Sequence, residues 1–238
     1  MRNVRRRFAR VKRGSVCLSP GFHTLADMLS GMTPTPLLLH ADEHLLVICK
    51  PAGLLAVPGR GEAGLVNLAA WVQQQHADAL IVHRLDQATS GLMVLARGAA
   101  AQRALSMAFE ARQVDKQYIA VVHGDVAGES GEIDAPLVAD WPHRPRQIVD
   151  TATGKPALTR WRVLQRAEGR TRLVLEPITG RTHQLRVHLQ SIGHAIVGDA
   201  LYGPQPPAHP RLLLHATQLT LRHPASGAAC TWTHEPPF

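Results

Sequence analysis

Short apolar strands at hairpin spacing dominate the second half of this 238-residue chain. Residues 158–163 alternate apolar and polar side chains, as in a half-buried strand, and residues 172–177 are placed to pair with them. Later strands are predicted at 212–215 and 218–222, and a single helix, 182–191, precedes them. Because a doubly wound parallel sheet needs a helix between most successive strands, this spacing predicts an α+β fold. Its central sheet is expected to be mixed and largely antiparallel, flanked by helices and loops.

The first half of the chain alternates strands and helices more evenly. Leu65, Leu68 and Val72 share one face of the first predicted helix, and Leu105 and Phe109 share one face of the second. The predicted strands are 45–49, 81–82, 92–96 and 116–124, and the predicted helices are 64–75 and 99–113.

The net charge of +8 is concentrated at the N-terminus. Residues 1–31 hold seven Lys or Arg and one acid, a sum of +6, whereas the rest of the chain holds 19 against 17, a sum of +2. Charge therefore argues for a polyanionic partner mainly through this segment. Three interpretations of the tail, residues 1–36, are open: a basic disordered arm that contacts RNA phosphates, an artefact of a start site upstream of Met32, or a transit peptide.

The sequence lacks the features of a membrane or secreted protein. No apolar run approaches the roughly 18–20 residues of a membrane span. The three cysteines, Cys17, Cys49 and Cys230, are scattered and form no Cys-x-x-Cys pair, which suits a reducing cytosol. We therefore expect a cytoplasmic protein without membrane contact.

Common cofactor and metal motifs are also missing. His183 and His188 are not spaced as a helical zinc pair, and no metal site is predicted. Residues 59–64 match Gly-x-Gly-x-x-Gly, but Pro58 interrupts the junction before them and no βαβ alternation follows, so a dinucleotide site is rejected. Phosphate-binding-loop and serine-hydrolase motifs do not occur.

A polar loop, residues 83–91, lies between two predicted strands, where a rigid scaffold often presents chemistry. It reads His-Arg-Leu-Asp-Gln-Ala-Thr-Ser-Gly, and Asp86 is its single acid. Taken alone, an aspartate beside Arg84 is most simply a surface ion pair. Two further stretches change that interpretation: Lys-x-Tyr-x-Ala-x-Val-x-Gly at 116–124 and Gly-Arg-Thr-His-Gln-Leu-Arg at 180–186.

In order and spacing, these three motifs resemble the RNA pseudouridine synthases of the RluA family, over about residues 37–235. The resemblance implies the pseudouridine synthase fold and a catalytic domain at 37–238. It also implies an enzyme that breaks the glycosidic bond of uridine, rotates the base and rejoins it through C5. No cofactor and no metal are expected. Many members carry an S4 RNA-binding domain, for which the tail of 1–36 is too short.

Four further segments resemble a dual-specificity member of that family more closely: 50–60, 140–145, 153–157 and 211–216. The expected partners are therefore RNAs, namely the anticodon stem-loop of tRNA, a hairpin of 23S rRNA, or both. A monomer is expected from the family.

The resemblance assigns catalytic roles to Asp86, Tyr118 and Arg186. Asp86 would be the nucleophile or base, and its target is open: the base, C1′ of the ribose, or a C2′ proton. Arg186 would be the guanidinium partner that keeps Asp86 ionised in a dry site. Tyr118 would stack on the uracil and take part in proton transfer at C5, although an ordinary phenol is a weak base.

The target uridine must leave its stack to be reached, and Arg84 is expected to enter the vacated space. Arg181 is expected to support the site or bind phosphate. RNA contacts are also predicted for residues in the polar loop and in the irregular stretch 139–156, which is equally well explained as a solvated loop. The predicted RNA-binding residues are His83, Arg84, Thr89, Arg144, Lys155 and Arg181.

Two other functions compete with this hypothesis. One is a non-catalytic RNA-binding or ribosome-assembly protein on the same fold. The presence of all three catalytic residues argues against it, because a degenerate copy would tolerate loss of any of them. The other is a glycosidase or nucleoside hydrolase. A glycosidase normally needs two carboxylates in one site, and no second acid stands out near the motifs.

Overall fold

The computed structural model describes residues 35–59 and 61–238. Predictions about residues 1–34 therefore lie outside the described part, and the boundary at residue 37 stays a prediction. The strands are β1 (Leu37–Ala41), β2 (Leu45–Lys50), β3 (Ala79–Ile81), β4 (Ser90–Arg97), β5 (Asp115–His123), β6 (Ser130–Asp134), β7 (Leu137–Ala139), β8 (Gln147–Val149), β9 (Leu158–Ala167), β10 (Arg170–Pro177), β11 (Leu214–Arg222) and β12 (Ala229–Thr233). The α-helices are α1 (Leu68–Gln73), α2 (Gly98–Glu110) and α3 (Gln184–Ser191), and 3-10 helices occur at Glu62–Leu65 and Trp141–His143.

Ten strands form one mixed sheet, and its central path runs β1-β2-β4-β11-β5-β10-β9-β6. β3 also pairs with β4, β12 also pairs with β11, and β7 and β8 form a separate hairpin. The pair β4–β11 is parallel, and the other pairs of named strands are antiparallel. The predicted α+β class with a mixed, largely antiparallel sheet is confirmed.

Burial explains the unbroken apolar sequence of β4. Every residue from Ser90 to Ala96 is buried, because core clusters cover both faces of this strand. Leu95 packs into one cluster and Val94 into the other, as expected for side chains that alternate between faces. A third cluster extends the first face toward β9 and β10, and Tyr118 of β5 packs against both clusters on that face.

The structure divides one predicted element and joins two others. The predicted helix 64–75 is divided, because the Asn67 side chain accepts a hydrogen bond from the Ala70 N–H at 2.9 Å and so begins a new helix at Leu68. The strands predicted at 212–215 and 218–222 are one strand, β11, with an irregularity in its pairing to β5.

The helix predicted at 182–191 begins only at Gln184, because His183 has left-handed backbone geometry with φ of 53°. α3 is buried along most of its length, including the polar residues Gln184, Arg186 and His188. None of the helices in the described residues has both the length and the apolar character needed to cross a lipid bilayer.

Candidate active site

The loop that carries Asp86, residues 82–89, joins β3 to β4, and we call it the Asp86 loop. The Gly53 N–H donates to the Gln87 carbonyl at 2.8 Å, and the Gln87 side-chain amide donates to the Gly53 carbonyl at 3.0 Å. The Thr89 N–H donates to the Asp86 carbonyl at 3.1 Å and closes a turn. These hydrogen bonds fix the backbone that presents the Asp86 carboxylate.

Lys50, at the end of β2, is fully buried against the Asp86 loop. Its ammonium group donates to the carbonyls of Pro51, Leu54 and Gln87 at 2.9, 2.8 and 3.2 Å, which matches its three N–H donors. Burial lowers the pKa of Lys50 to about 7, although the charge of Asp86 favours the protonated form. Sequence reasoning gave Lys50 no role, yet it anchors the loop.

The Asp86 carboxylate faces Arg186 of α3, with 3.8 Å between Oδ2 and Nη1. The Arg186 side chain is 5% exposed and the Asp86 side chain 28% exposed. The distance is that of an ion pair without a hydrogen bond. The guanidinium therefore places a positive charge beside the carboxylate without a hydrogen bond to its oxygens.

Arg186 makes its shortest contacts with Asp199, a residue to which the sequence analysis assigned no role. Its Nε and Nη2 donate to the two carboxylate oxygens, both at 2.7 Å, and the Asp199 side chain is fully buried. Burial alone would raise the pKa of Asp199, but the hydrogen bonds and charge of Arg186 outweigh it and lower that pKa. The bidentate pair fixes the guanidinium plane and directs Nη1 toward Asp86.

Beside this pair, hydrogen bonds connect Gln147, Tyr202 and His183. The Tyr202 hydroxyl accepts from the Gln147 N–H at 2.8 Å and donates to His183 Nδ1 at 2.7 Å. Burial lowers the pKa of His183 and so favours the neutral ring, which can accept this hydrogen bond through Nδ1. The Arg186 guanidinium lies 5.1 Å from the centre of the Tyr202 ring, within the range of a cation–π contact.

Tyr118 of β5 lines the same cleft as Asp86. Burial, and then the negative charge of Asp86, raise the pKa of Tyr118. The phenol therefore stays neutral, and less of the basic phenolate is present than for an unperturbed tyrosine. It can stack on a base and donate a hydrogen bond.

One cleft of about 560 Å³ brings together most of the predicted residues. Arg84 is exposed at the cleft, and the Arg181 Nε donates to the Pro156 carbonyl at 3.1 Å. The predicted site residues that line this cleft are His83, Arg84, Asp86, Thr89, Tyr118, Arg181 and Arg186.

His83 and Thr89 are built into the scaffold of the cleft. His83 Nε2 accepts from the Val94 N–H at 3.0 Å, and its ring stacks on Phe109 at 4.4 Å. Burial lowers the pKa of His83 to about 3, so the ring is uncharged and offers no cation to a phosphate. Thr89 is 2% exposed. Their contribution to RNA binding stays a prediction.

Arg144 and Lys155 do not line this cleft. Both are exposed, and the Arg144 guanidinium lies 3.6 Å from the centre of the exposed Trp141 ring. The stretch 139–156 is more regular than predicted, since it contains β8 and a 3-10 helix. RNA contacts by Arg144 and Lys155 stay predictions.

The family model described as RNA pseudouridylate synthase matches residues 44–191. Similar curated proteins include the dual-specificity RNA pseudouridine synthase RluA of Escherichia coli (strain K12), 48% identical over 203 residues that cover 84% of this chain and 92% of the relative. The protein of that name from Yersinia pestis is 45% identical over 210 residues, which cover 85% of this chain and 100% of the relative.

Solved structures agree with these relatives. Human RNA pseudouridylate synthase domain containing 1 superposes with a TM-score of 0.72 at 25% identity, over 93% of this chain and 87% of that chain. The human domain containing 4 gives a TM-score of 0.69 at 28% identity, over 90% and 91% of the two chains. The fold and the reaction that the three motifs predict are confirmed, and the chain belongs to the RNA pseudouridylate synthase family, whose members isomerise uridine in RNA.

Proposed function

We propose that this pseudouridine synthase modifies uridines in two classes of RNA, the anticodon stem-loop of tRNA and a hairpin of 23S rRNA. We further propose that Asp86 acts as its nucleophile or base. The observation that carries the catalytic part is the Asp86 carboxylate, which faces the Arg186 guanidinium at 3.8 Å in a cleft that Tyr118 also lines. The two substrates rest on relatives that are named dual-specificity enzymes.

Asp86 suits this role because its carboxylate is accessible from the cleft and makes no direct hydrogen bond to Arg186. A nucleophile that is fully saturated by donors is stabilised in its resting state and reacts slowly. At 3.8 Å, Arg186 supplies charge without a direct hydrogen bond. Attack on the base, attack at C1′, and removal of a C2′ proton are all compatible with a carboxylate so placed, and each requires Asp86 to be unprotonated.

Tyr118 is proposed to stack on the uracil and to act through its neutral phenol. Because burial and Asp86 raise its pKa, the phenolate is a minor form at neutral pH. A neutral phenol can hydrogen-bond to a carbonyl of the detached uracil while its ring keeps the base in place. Loss of the hydroxyl in Tyr118→Phe is thus expected to impair rotation or proton transfer more than RNA binding.

Arg84 and Arg181 lie at the cleft and are proposed to receive the RNA. A uridine must be extruded from its stack to enter the cleft, at a cost of a few kcal/mol. Arg84 is exposed and only two residues from Asp86, so it can occupy the vacated space while the base contacts the carboxylate. Arg181 has one guanidinium nitrogen fixed on the Pro156 carbonyl, and the others remain available for phosphate.

Trp141 and Arg144, outside the cleft, are proposed to provide a further RNA contact. Trp141 is 66% exposed and is covered on one face by Arg144. An exposed aromatic ring backed by a guanidinium is suited to stack on an unpaired base beside a phosphate. Lys155 is exposed in the segment that pairs with Leu137 of β7, and its ammonium is proposed to contact phosphate.

The decisive experiment uses Asp86→Asn with an Asp125→Asn control, since Asp125 is an exposed acid that does not line the cleft. Each protein is incubated separately with tRNA and with a 23S rRNA fragment, and pseudouridine is mapped by chemical modification and sequencing. Asp86→Asn should give no product while binding both RNAs as tightly as the unmodified protein. The control should modify both.

Two outcomes would count against the proposal. Substantial pseudouridine from Asp86→Asn would remove Asp86 as the nucleophile or base. Product in only one RNA class, with the unmodified protein in excess, would overturn dual specificity while leaving the catalytic assignment intact.

A further inference from the structure

Three potential metal ligands meet on the sheet face opposite the cleft. They are Cys49 in β2, His215 in β11 and His234, which follows β12. Leu214 lines the cleft, and because successive side chains of a strand alternate, His215 lies on the other face. The cluster is therefore distinct from the proposed catalytic residues.

Two of the three pairs of ligand atoms are already spaced as a metal would require. The Cys49 Sγ lies 3.6 Å from His234 Nδ1, and His215 Nε2 lies 3.2 Å from the same nitrogen. All three ligand atoms lie within 4.8 Å of one another. For tetrahedral zinc with its usual bond lengths, ligand atoms are expected roughly 3.6 Å apart for sulfur and nitrogen and roughly 3.3 Å apart for two nitrogens. The distances of 3.6 Å for sulfur and nitrogen and 3.2 Å for the two nitrogens agree with these values.

A second layer of hydrogen bonds orients His215 for such a role. The Ser90 hydroxyl lies 2.8 Å from His215 Nδ1 and 3.4 Å from the Leu214 carbonyl, and it accepts a hydrogen bond from the Arg211 guanidinium at 2.7 Å. Ser90 thus holds the His215 ring by its Nδ1 and leaves Nε2 facing the cluster. A metal bound by Nε2 requires the hydrogen on Nδ1, and the Ser90 oxygen is placed to accept it, as in histidine metal ligands whose other nitrogen donates to a fixed partner.

We propose that Cys49, His215 and His234 bind a zinc ion through three protein ligands, with the fourth position open to water. A thiolate with two imidazoles favours zinc over magnesium or calcium, which prefer oxygen ligands. Cys49 and His234 are half-buried, so an ion can reach the site from solvent. The ion would join β2, β11 and the segment after β12, three parts of the chain that are far apart in sequence.

This site lies next to residues that hold the Asp86 loop, because Cys49 precedes Lys50 and Ser90 begins β4. The zinc is nevertheless assigned no part in the isomerisation. Its effect is expected on stability, because a ligand that binds only the folded chain stabilises it. That stabilisation grows with the logarithm of the ratio of ligand concentration to Kd. The inference stands independently of the substrates proposed above.

Cobalt is the probe, because tetrahedral Co²⁺ absorbs strongly in the visible and a cobalt–thiolate bond adds a near-ultraviolet band. The full chain is purified without an affinity tag, stripped with a chelator and titrated with Co²⁺, then with Zn²⁺. A Cys17→Ser/Cys230→Ser background leaves Cys49 as the single thiol. It should bind one Co²⁺ with the thiolate band, and one equivalent of Zn²⁺ should displace it and raise the melting temperature.

Two variants in that background test the ligands. Cys49→Ser should lose the thiolate band, and His234→Gln should weaken Co²⁺ binding by at least tenfold, whereas His209→Gln, a histidine bound to the Arg211 backbone, should match the background. Circular dichroism and the metal-free melting temperature verify that each variant folds. A background protein that gives no thiolate band, or a His234→Gln variant that binds Co²⁺ as tightly as the background, would overturn the proposal.

Discussion

Replacement of Arg186 by lysine tests whether the guanidinium performs two tasks at once. Nε and Nη2 bind Asp199 at 2.7 Å, while Nη1 faces Asp86 at 3.8 Å. A lysine has a single nitrogen, which cannot hold the bidentate pair and face the second carboxylate. Because Asp199 is fully buried and Asp86 is not, the ammonium is expected to remain with Asp199 and leave Asp86 without a partner.

The size of the effect follows from the distance. Two unit charges 3.8 Å apart attract by about 4 kcal/mol at an effective dielectric constant of about 20. Since the Asp86 side chain is 28% exposed, this value is an upper bound. At about 1.4 kcal/mol per tenfold in rate, full loss corresponds to a fall of about 10³-fold, and partial screening to about 10²-fold. The loss of one charge-assisted hydrogen bond to Asp199 should also lower stability by about 1.5–3 kcal/mol.

The assay is single-turnover pseudouridine formation at saturating RNA, run well below the melting temperature of the variant, with RNA affinity measured in parallel. Arg186→Lys should lower the rate constant while the Kd for RNA changes little. Arg181→Lys is the matched control, because Arg181 lines the same cleft but donates to a backbone carbonyl, and its turnover at saturation should be near normal. A rate for Arg186→Lys within about tenfold of the unmodified protein would refute the pairing, since it corresponds to no more than about 1.4 kcal/mol.

Three further predictions concern residues outside the Asp86–Arg186–Asp199 group. Gly91→Ala should destabilise the fold by about 3 kcal/mol or more in urea melts, because φ is +115° and a Cβ would overlap the backbone of Ala216. Gly227 also has positive φ but faces open space, so Gly227→Ala should lower the free energy of unfolding by only about 1 kcal/mol. Burial lowers the pKa of Lys50 to about 7 in the folded protein. Between pH 7 and about 10 the unfolded chain therefore binds more protons at this group than the folded chain does. The free energy of unfolding should consequently increase with pH, by up to about 1.4 kcal/mol per pH unit from Lys50. Lys50→Met should remove that gain, and an unchanged slope would contradict it. Deletion of residues 1–31 should leave turnover intact and weaken the dependence of RNA binding on salt, so a lower rate at saturating RNA would be the contrary result.

Local patterns predicted the fold class because alternation, hairpin spacing and helical periodicity are properties of short segments. The motif resemblance placed Asp86, Tyr118 and Arg186 together, and the structure has all three in one cleft. Their catalytic roles stay predictions. The contact between Arg186 and Asp199 was missed, although the residues are only 13 apart, because nothing in the sequence says which of two carboxylates a buried guanidinium will bind.

Other features depend on pairings between distant parts of the chain. Cys49 and His234 are 185 residues apart, so no spacing motif could have signalled their contact. Of the three carbonyls that bind Lys50, that of Gln87 reaches it only because the Asp86 loop folds over the end of β2. Both contacts follow from the strand order of the sheet, which hydrophobic periodicity does not determine.

The position of β11 between β4 and β5 has a consequence for how the enzyme is made. Asp86 precedes β4 and Tyr118 lies in β5, and the strand that separates and spaces them is not synthesised until Leu214–Arg222 leaves the ribosome. Synthesis proceeds from the N-terminus, and long-range strand pairing is slow to form. A nascent chain therefore carries Asp86 and Tyr118 well before the strand that sets their spacing in the cleft has been made.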